Sequence, residues 1–218
     1  LDLYGKVTVR VGFALEGQGQ YTVIAQVLAD YFGLEIADVR VVHQDTLSAP
    51  PHFGPGGSRL GVAITAAVLG AADILKDRLI KVAAVLLQTE PANVELMDGV
   101  LRINGLPQAQ RALAQVAGAM FARSDLLPAG VDPNPEATFV WTAPGRTPAD
   151  DQGRAKSYLT AANACHLVLV EVDIETAQVK IRPYWTSANC NASPNTAHVK
   201  EPTQGGVAQG AGAALLPA

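Results

Sequence analysis

At 218 residues, with 49% hydrophobic and 17% charged residues, the chain has enough apolar side chains for a sizeable core and too few charges for a disordered segment. Its 16 basic and 20 acidic residues give a formal net charge of -4 without long runs of either sign, which removes the electrostatic case for nucleic acid. The most apolar helical stretch is interrupted by Asp73, Lys76, Asp77 and Arg78, so no membrane span is expected, and Cys165 and Cys190 have neither disulfide-framework nor iron–sulfur spacing. This usage fits a reducing cytoplasm. No secretory leader is read, and Leu1 at the first position fits a processed product or a piece of a longer polypeptide.

Val7, Val9, Val11 and Phe13 alternate with Lys6, Thr8, Arg10 and Gly12, which predicts a half-buried strand. Glu16-Gly17-Gln18-Gly19-Gln20-Tyr21-Thr22 follows, and then Val23, Ile24, Val27, Leu28 and Tyr31 at helical spacing as far as Gly33. Val39, Val41 and Val42 predict a second strand ending in His43-Gln44-Asp45-Thr46. A long Pro/Gly turn then reaches Gly56-Gly57-Ser58-Arg59, with Ser58 as the expected cap of an alanine-rich helix from Arg59 to about Leu87. Ile64, Val68, Ala72, Leu75, Leu79, Val82, Val85 and Leu86 form its apolar face, making it the central helix.

Beyond it, 93–96 and 100–103 are joined through Met97-Asp98-Gly99 as a small hairpin, expected as a surface appendage. Leu113 to Phe121 reads as a helix, and Leu127 to Asp151 as an exposed connection. Leu167 to Asp173 and Val179 to Trp185 read as a long antiparallel hairpin, Ser187 to Pro194 as a polar loop, and Gln204-Gly205-Gly206 as the opening of a final helix. The expected class is therefore α+β, antiparallel strands and hairpins packed on a long central helix. It forms one compact unit or two lobes, 1–125 and 126–218.

Three times a strand-like stretch passes through a glycine loop into a helix, at Gly17-Gln18-Gly19, Gly56-Gly57-Ser58 and Gln204-Gly205-Gly206. Each junction directs unsatisfied helix-start amides toward an anion or polar acceptor, and glycine removes the Cβ that would keep a ligand away. None ends in Gly-Lys-Ser/Thr, and the first lacks the third glycine and the downstream acid of a dinucleotide fingerprint. Spacing alone favours ordinary turns at Gly19 and Gly57 and a simple helix cap at Ser58.

Taken in order, Gly17-Gln18-Gly19-Gln20-Tyr21-Thr22, Asp45-Thr46, Gly56-Gly57-Ser58-Arg59, the hairpin with Val170-Glu171-Val172-Asp173 and Glu175-Thr176, and Gly205-Gly206-Val207-Ala208-Gln209-Gly210 resemble the molybdenum-cofactor-binding large subunit of the xanthine dehydrogenase and aldehyde oxidase family. The resemblance covers nearly the whole chain and is strongest to the bacterial branch. It implies a molybdopterin cofactor carrying molybdenum, often extended to a dinucleotide. Gly17, Gln18, Gly19, Gly57, Ser58, Arg59 and Gln204 would contact it, and no protein side chain would ligate the metal. It further implies an oxidoreductase that hydroxylates a C–H bond of a small-molecule substrate with water-derived oxygen. Iron–sulfur centres and FAD would lie on partner chains or segments: the remainder of the large subunit, an iron–sulfur subunit and a flavin subunit.

Pro202 stands where the family has a glutamine at its third contact, Asn189-Cys190-Asn191 replaces an aspartate and a glycine, and Ala177 replaces the hairpin glycine. The resemblance places the general-base glutamate beyond the last residue, so no catalytic residue is assigned here. Glu16, Glu171, Glu175 and Glu201 match non-catalytic positions. The alternatives are a truncated or diverged structural module of the same fold without cofactor, and a simple phosphate-binding domain.

Overall fold

The structure is a computed structural model that describes residues 1–218 except 44, 53, 58, 146, 157–161, 190–195 and 216–218, and except the side chains of Thr196 and His198. Ser58, Cys190, Asn191 and Pro194 lie outside the described residues. The chain divides into two compact units, Leu1–Pro144 and Gly145–Ala218.

The first unit opens with a β–α–β arrangement. β1 (Val7–Val11) buries Val7 and Val11 and exposes Thr8 and Arg10, the alternation its sequence predicts. α1 (Gln20–Phe32) returns the chain so that β2 (Val39–His43) pairs with β1 in parallel, from Val7 opposite Val39 to Val11 opposite His43. A parallel pair needs such a crossover, because a tight turn can only reverse the chain. The Gly17-Gln18-Gly19 turn ahead of α1 therefore lies beyond the carboxyl end of β1, where a ligand can reach it.

α2 (Leu60–Leu87) is a 28-residue helix and spans roughly 40 Å. Ile64, Val68, Ala72, Leu75, Leu79 and Val82 are buried along it at spacings of three and four, while Val85 is 40% exposed and the turn is filled by Ala83 and Ala84. Small residues let neighbours approach closely, and α1 packs along this helix with the Tyr31 hydroxyl donating to Asp73 and Lys76 placed over the Tyr31 ring.

The expected appendage is part of the core. β3 (Val94–Met97), β4 (Val100–Ile103) and an additional strand β5 (Leu106–Ala112) form an antiparallel sheet in the order β3-β4-β5. Leu101 is fully buried and Val94 is 6% exposed. The two-residue turn has positive φ at Asp98 (51°) and Gly99 (72°), which fits a type I′ hairpin. That tip docks on the end of α1, where the Gly99 amide donates to the Phe32 carbonyl at 3.1 Å. Gly33 permits it: a Cβ there would lie 2.5 Å from the Asp98 nitrogen. α3 (Leu113–Ala122) closes the core with Leu113, Val116, Ala117 and Met120.

The proline-rich stretch after α3 is also held more firmly than its composition suggests. Arg78 on α2 donates to the carbonyls of Asn134 (3.2 Å) and Glu136 (2.7 Å) and pairs with Asp132 at 3.2 Å, and the Phe139 ring covers Gly70.

In the second unit, β6 (Asn163–Val172) and β7 (Val179–Asn189) form an antiparallel hairpin with Leu167 opposite Trp185. The Asp173 carboxylate accepts from the amides of Glu175 and Thr176, and Ala177 sits at φ 58°, the left-handed position for which glycine is the natural occupant. β7 continues to Asn189, so the loop expected from Ser187 begins later. α4 (Thr196–Leu215) starts well before Gln204 and contains Pro202. Gln204-Gly205-Gly206 is therefore not a strand-to-helix junction but helix interior, and no free helix-start amides exist there. Two glycines in a row misled the sequence reading, because they mark small-residue packing as readily as a turn.

Candidate functional site

Both remaining glycine junctions belong to the first unit, and among the described residues neither helix start has a side-chain cap bond. Gly19 occupies the N-cap of α1 at φ 78°, with no side chain bonding the first amides. Thr22 and Val23 donate to the Gly19 carbonyl, which leaves the amides of Gln20 and Tyr21 without an intrahelical acceptor. Gly17 has φ 101°, a conformation that L side chains rarely adopt, and a Cβ there would meet no atom within 4 Å. The Glu16 amide donates to Gln18 Oε1 at 2.7 Å. That bond uses the acceptor end of the Gln18 amide and leaves its Nε2 group as a donor.

The second junction is built alike. α2 starts at Leu60 with Arg59 before it in a right-handed conformation. The serine cap expected at Ser58 falls outside the described residues. Gly57 has φ 64°, and a Cβ on Gly56 or Gly57 would meet nothing within 4 Å. Arg59 is exposed and makes no ion pair among the described residues. Gln204 lies on an exposed turn of α4 in the second unit.

An aromatic cluster that sequence reading missed supports the two junctions. The Tyr21 ring stacks on His43 at the end of β2 with centroids 4.0 Å apart and lies 5.6 Å from Phe13, whose ring is 5.0 Å from His52 in the second junction's loop. Phe13 is 2% exposed, a burial that contributes about 1.5–3 kcal/mol. Gly12 lets the Pro50 carbonyl pass against β1 where any Cβ would collide with it, which draws the second loop toward the first. His52 Nδ1 accepts from the Gly54 amide at 2.6 Å, and burial, with the Arg59 charge as a smaller cause, holds its pKa below the ordinary histidine value. The sequence pattern places Phe13 in the strand alternation and Tyr21 in the glycine-turn motif. Only the stacked geometry reveals their common task.

This corner also contains unfilled hydrogen-bonding capacity. Gln20 Oε1 and His43 Nδ1 are buried with no partner among the described residues, and Tyr21 adjoins the first in sequence and stacks on the second. Buried polar atoms without partners are uncommon and cost about 1–3 kcal/mol each, which marks this corner as a place where a ligand's polar groups could be received. Free amides, an amide donor, an unpaired guanidinium and open glycine turns suit a ligand rich in phosphate and ring acceptors. Among the described residues no group of three or more His, Cys, Asp or Glu is placed to hold a metal ion. Glu171 is engaged with Arg182 across the β6–β7 hairpin, Nε to carboxylate 2.7 Å.

The fold and these donors are those of a cofactor-binding domain of the molybdopterin type. Residues 1–217 match the family described as the molybdopterin cofactor-binding domain, and the chain belongs to it. The chain is 30% identical over 99% of its length to the nicotine 6-hydroxylase large subunit of Paenarthrobacter nicotinovorans, covering 25% of that protein. It is 25% identical over 94% of its length to the carbon monoxide dehydrogenase large chain of Afipia carboxidovorans, covering 23% of it. The crystal structure of quinoline 2-oxidoreductase from Pseudomonas putida 86 superposes with a TM-score of 0.82 at 29% identity, over 95% of this chain and 25% of that one. The chain thus spans about a quarter of the length of these relatives. Among the described residues, no helix is long and apolar enough to cross a membrane.

Proposed function

We propose that this chain forms part of the molybdopterin site of a cytoplasmic molybdenum hydroxylase that inserts water-derived oxygen into a C–H bond of a small organic substrate. The observation that carries the reading is the pair of strand-to-helix turns in the first unit: among the described residues, no side chain caps either helix start, and the glycines beside them have open space where a side chain would stand.

Gly17 and Gly19 would admit the cofactor to the start of α1, and Gln18 would offer its Nε2 as a donor while its Oε1 accepts from Glu16. Gly57 and Arg59, with Ser58 as the resemblance implies, would hold its phosphate through amides and guanidinium. When bound, the cofactor would supply the oxygen-transfer and two-electron redox chemistry, with iron–sulfur and flavin groups on partner subunits as the electron acceptors. The chain's own work is to orient that group, and the general base is supplied from the remaining length of the large subunit. The names nicotine 6-hydroxylase and quinoline 2-oxidoreductase favour an N-heteroaromatic substrate.

Gln18→Ala and Arg59→Ala should each lower molybdenum and pterin content several-fold in the assembled protein without unfolding it. Wild-type content in both variants would overturn the placement of the site. One observation favours a second reading, a cofactor-free structural module: Pro202 lies inside α4 where the resemblance puts a glutamine contact. That reading requires molybdenum and pterin to be absent from the assembled wild-type protein.

A further inference from the structure

We propose that Tyr21 is the positioning residue that holds the Gly17-Gln18-Gly19 turn in its ligand-ready form, an assignment that rests on the cofactor reading for its functional consequence. Its hydroxyl donates to the Phe13 carbonyl at 2.8 Å and accepts from the Leu15 amide at 3.1 Å. One oxygen therefore ties the start of α1 to the chain leaving β1 and closes the segment that carries both glycines. The backbone of this segment has few other partners of its own: the next amide, Glu16, is satisfied by Gln18.

The two bonds act in series. Tyr21 fixes Phe13 and Leu15, and Gln18 fixes Glu16, so the Gln18 Nε2 donor is aimed only while the tyrosine staple holds. The phenol is itself held by its neighbours, stacked on His43 at 4.0 Å and tilted against Phe13 at 5.6 Å between centroids. A glycine turn without such a tie would sample many conformations, and ordering it would be charged against cofactor binding.

Tyr21→Phe keeps the ring and its stacking and deletes only the hydroxyl. Tyr31→Phe is the control: it also removes a tyrosine hydrogen bond from α1, the one to Asp73, far along the helix from the turn. Amide exchange in the full chain without cofactor should quicken by about tenfold at Leu15 and Glu16 in Tyr21→Phe, the loss of roughly one hydrogen bond, and stay unchanged at Leu79 and Val82 on α2. In the assembled protein, pterin and molybdenum content should fall several-fold for Tyr21→Phe and match wild type for Tyr31→Phe.

Unchanged exchange at Leu15 would overturn the staple whatever the loading shows. Faster exchange with wild-type loading would overturn its role in cofactor binding. A wild-type assembly without pterin would sink the cofactor reading instead, while the exchange result would still decide whether Tyr21 orders the turn.

Discussion

Gly33 and Gly57 make a matched pair for separating fold from site. Their φ values are 67° and 64°, so alanine at either meets the same left-handed backbone penalty, about 1–2 kcal/mol, offset by about 0.4–1 kcal/mol from the stiffened unfolded chain. Their surroundings differ. A methyl on Gly57 meets nothing within 4 Å, whereas one on Gly33 would stand 2.5 Å from Asp98 N and 2.6 Å from Gly99 N, backbone atoms that cannot rotate aside. Gly57→Ala should therefore cost about 1 kcal/mol or less, while Gly33→Ala adds the overpacking term and should cost about 2–4 kcal/mol. In thermal melts that separates a fall in Tm of about 2–4 °C from one of roughly 5–12 °C. Cofactor content should rank the other way: per folded molecule, Gly33→Ala keeps molybdenum and pterin, and Gly57→Ala loses them because its methyl occupies the second cradle. Equal stabilities would refute the docking of the hairpin on α1. Undiminished loading in Gly57→Ala would refute the cradle.

Three further outcomes follow from the same structure. Leu101→Ala, at a fully buried position on β4, should destabilise by about 2–5 kcal/mol in urea titration, and a change below about 0.5 kcal/mol would restore the hairpin to the surface. Ala177→Gly relieves a left-handed alanine in the β6–β7 connection and should stabilise that hairpin by about 1 kcal/mol, read as slower exchange at the Asp173 amide, which donates to the Gln178 carbonyl at 2.9 Å. Folding lowers the His52 pKa, so the folded chain binds fewer protons there. Its contribution is full above the ordinary value of 6.5 and declines as pH falls through it, because a protonated Nδ1 can no longer accept from Gly54 and the ring then faces the Arg59 charge. Exchange at the Gly54 amide should quicken below that pH in wild type, and His52→Phe should abolish the dependence.

Much of this was legible in the sequence because local pattern and tertiary environment agree. β1 alternates since only one of its faces is buried, α1 stops at a glycine that takes the left-handed C-terminal conformation, and α2 carries its apolar residues at helical spacing. The central helix and the α+β class follow from those elements. What eluded the sequence depends on partners far along the chain. Val94 and Leu101 give the same pattern on a surface hairpin as on a core one, and only the approach of Asp98 and Gly99 to α1 distinguishes them. The Gly205-Gly206 pair suggested a turn, yet the helix runs through it, and even Pro202 does not end it. Tyr21 gave no signal, because which carbonyl and amide a hydroxyl joins is set by the path of the loop rather than by its residues.

The central claim is that the two glycine turns of the first unit are part of a molybdopterin site. Metal and pterin analysis of the protein purified together with its partner subunits tests it most directly. Stoichiometric molybdenum and a releasable fluorescent pterin, both lost together in Gln18→Ala, are the predicted result. Neither molybdenum nor pterin in the assembled wild-type protein would contradict it.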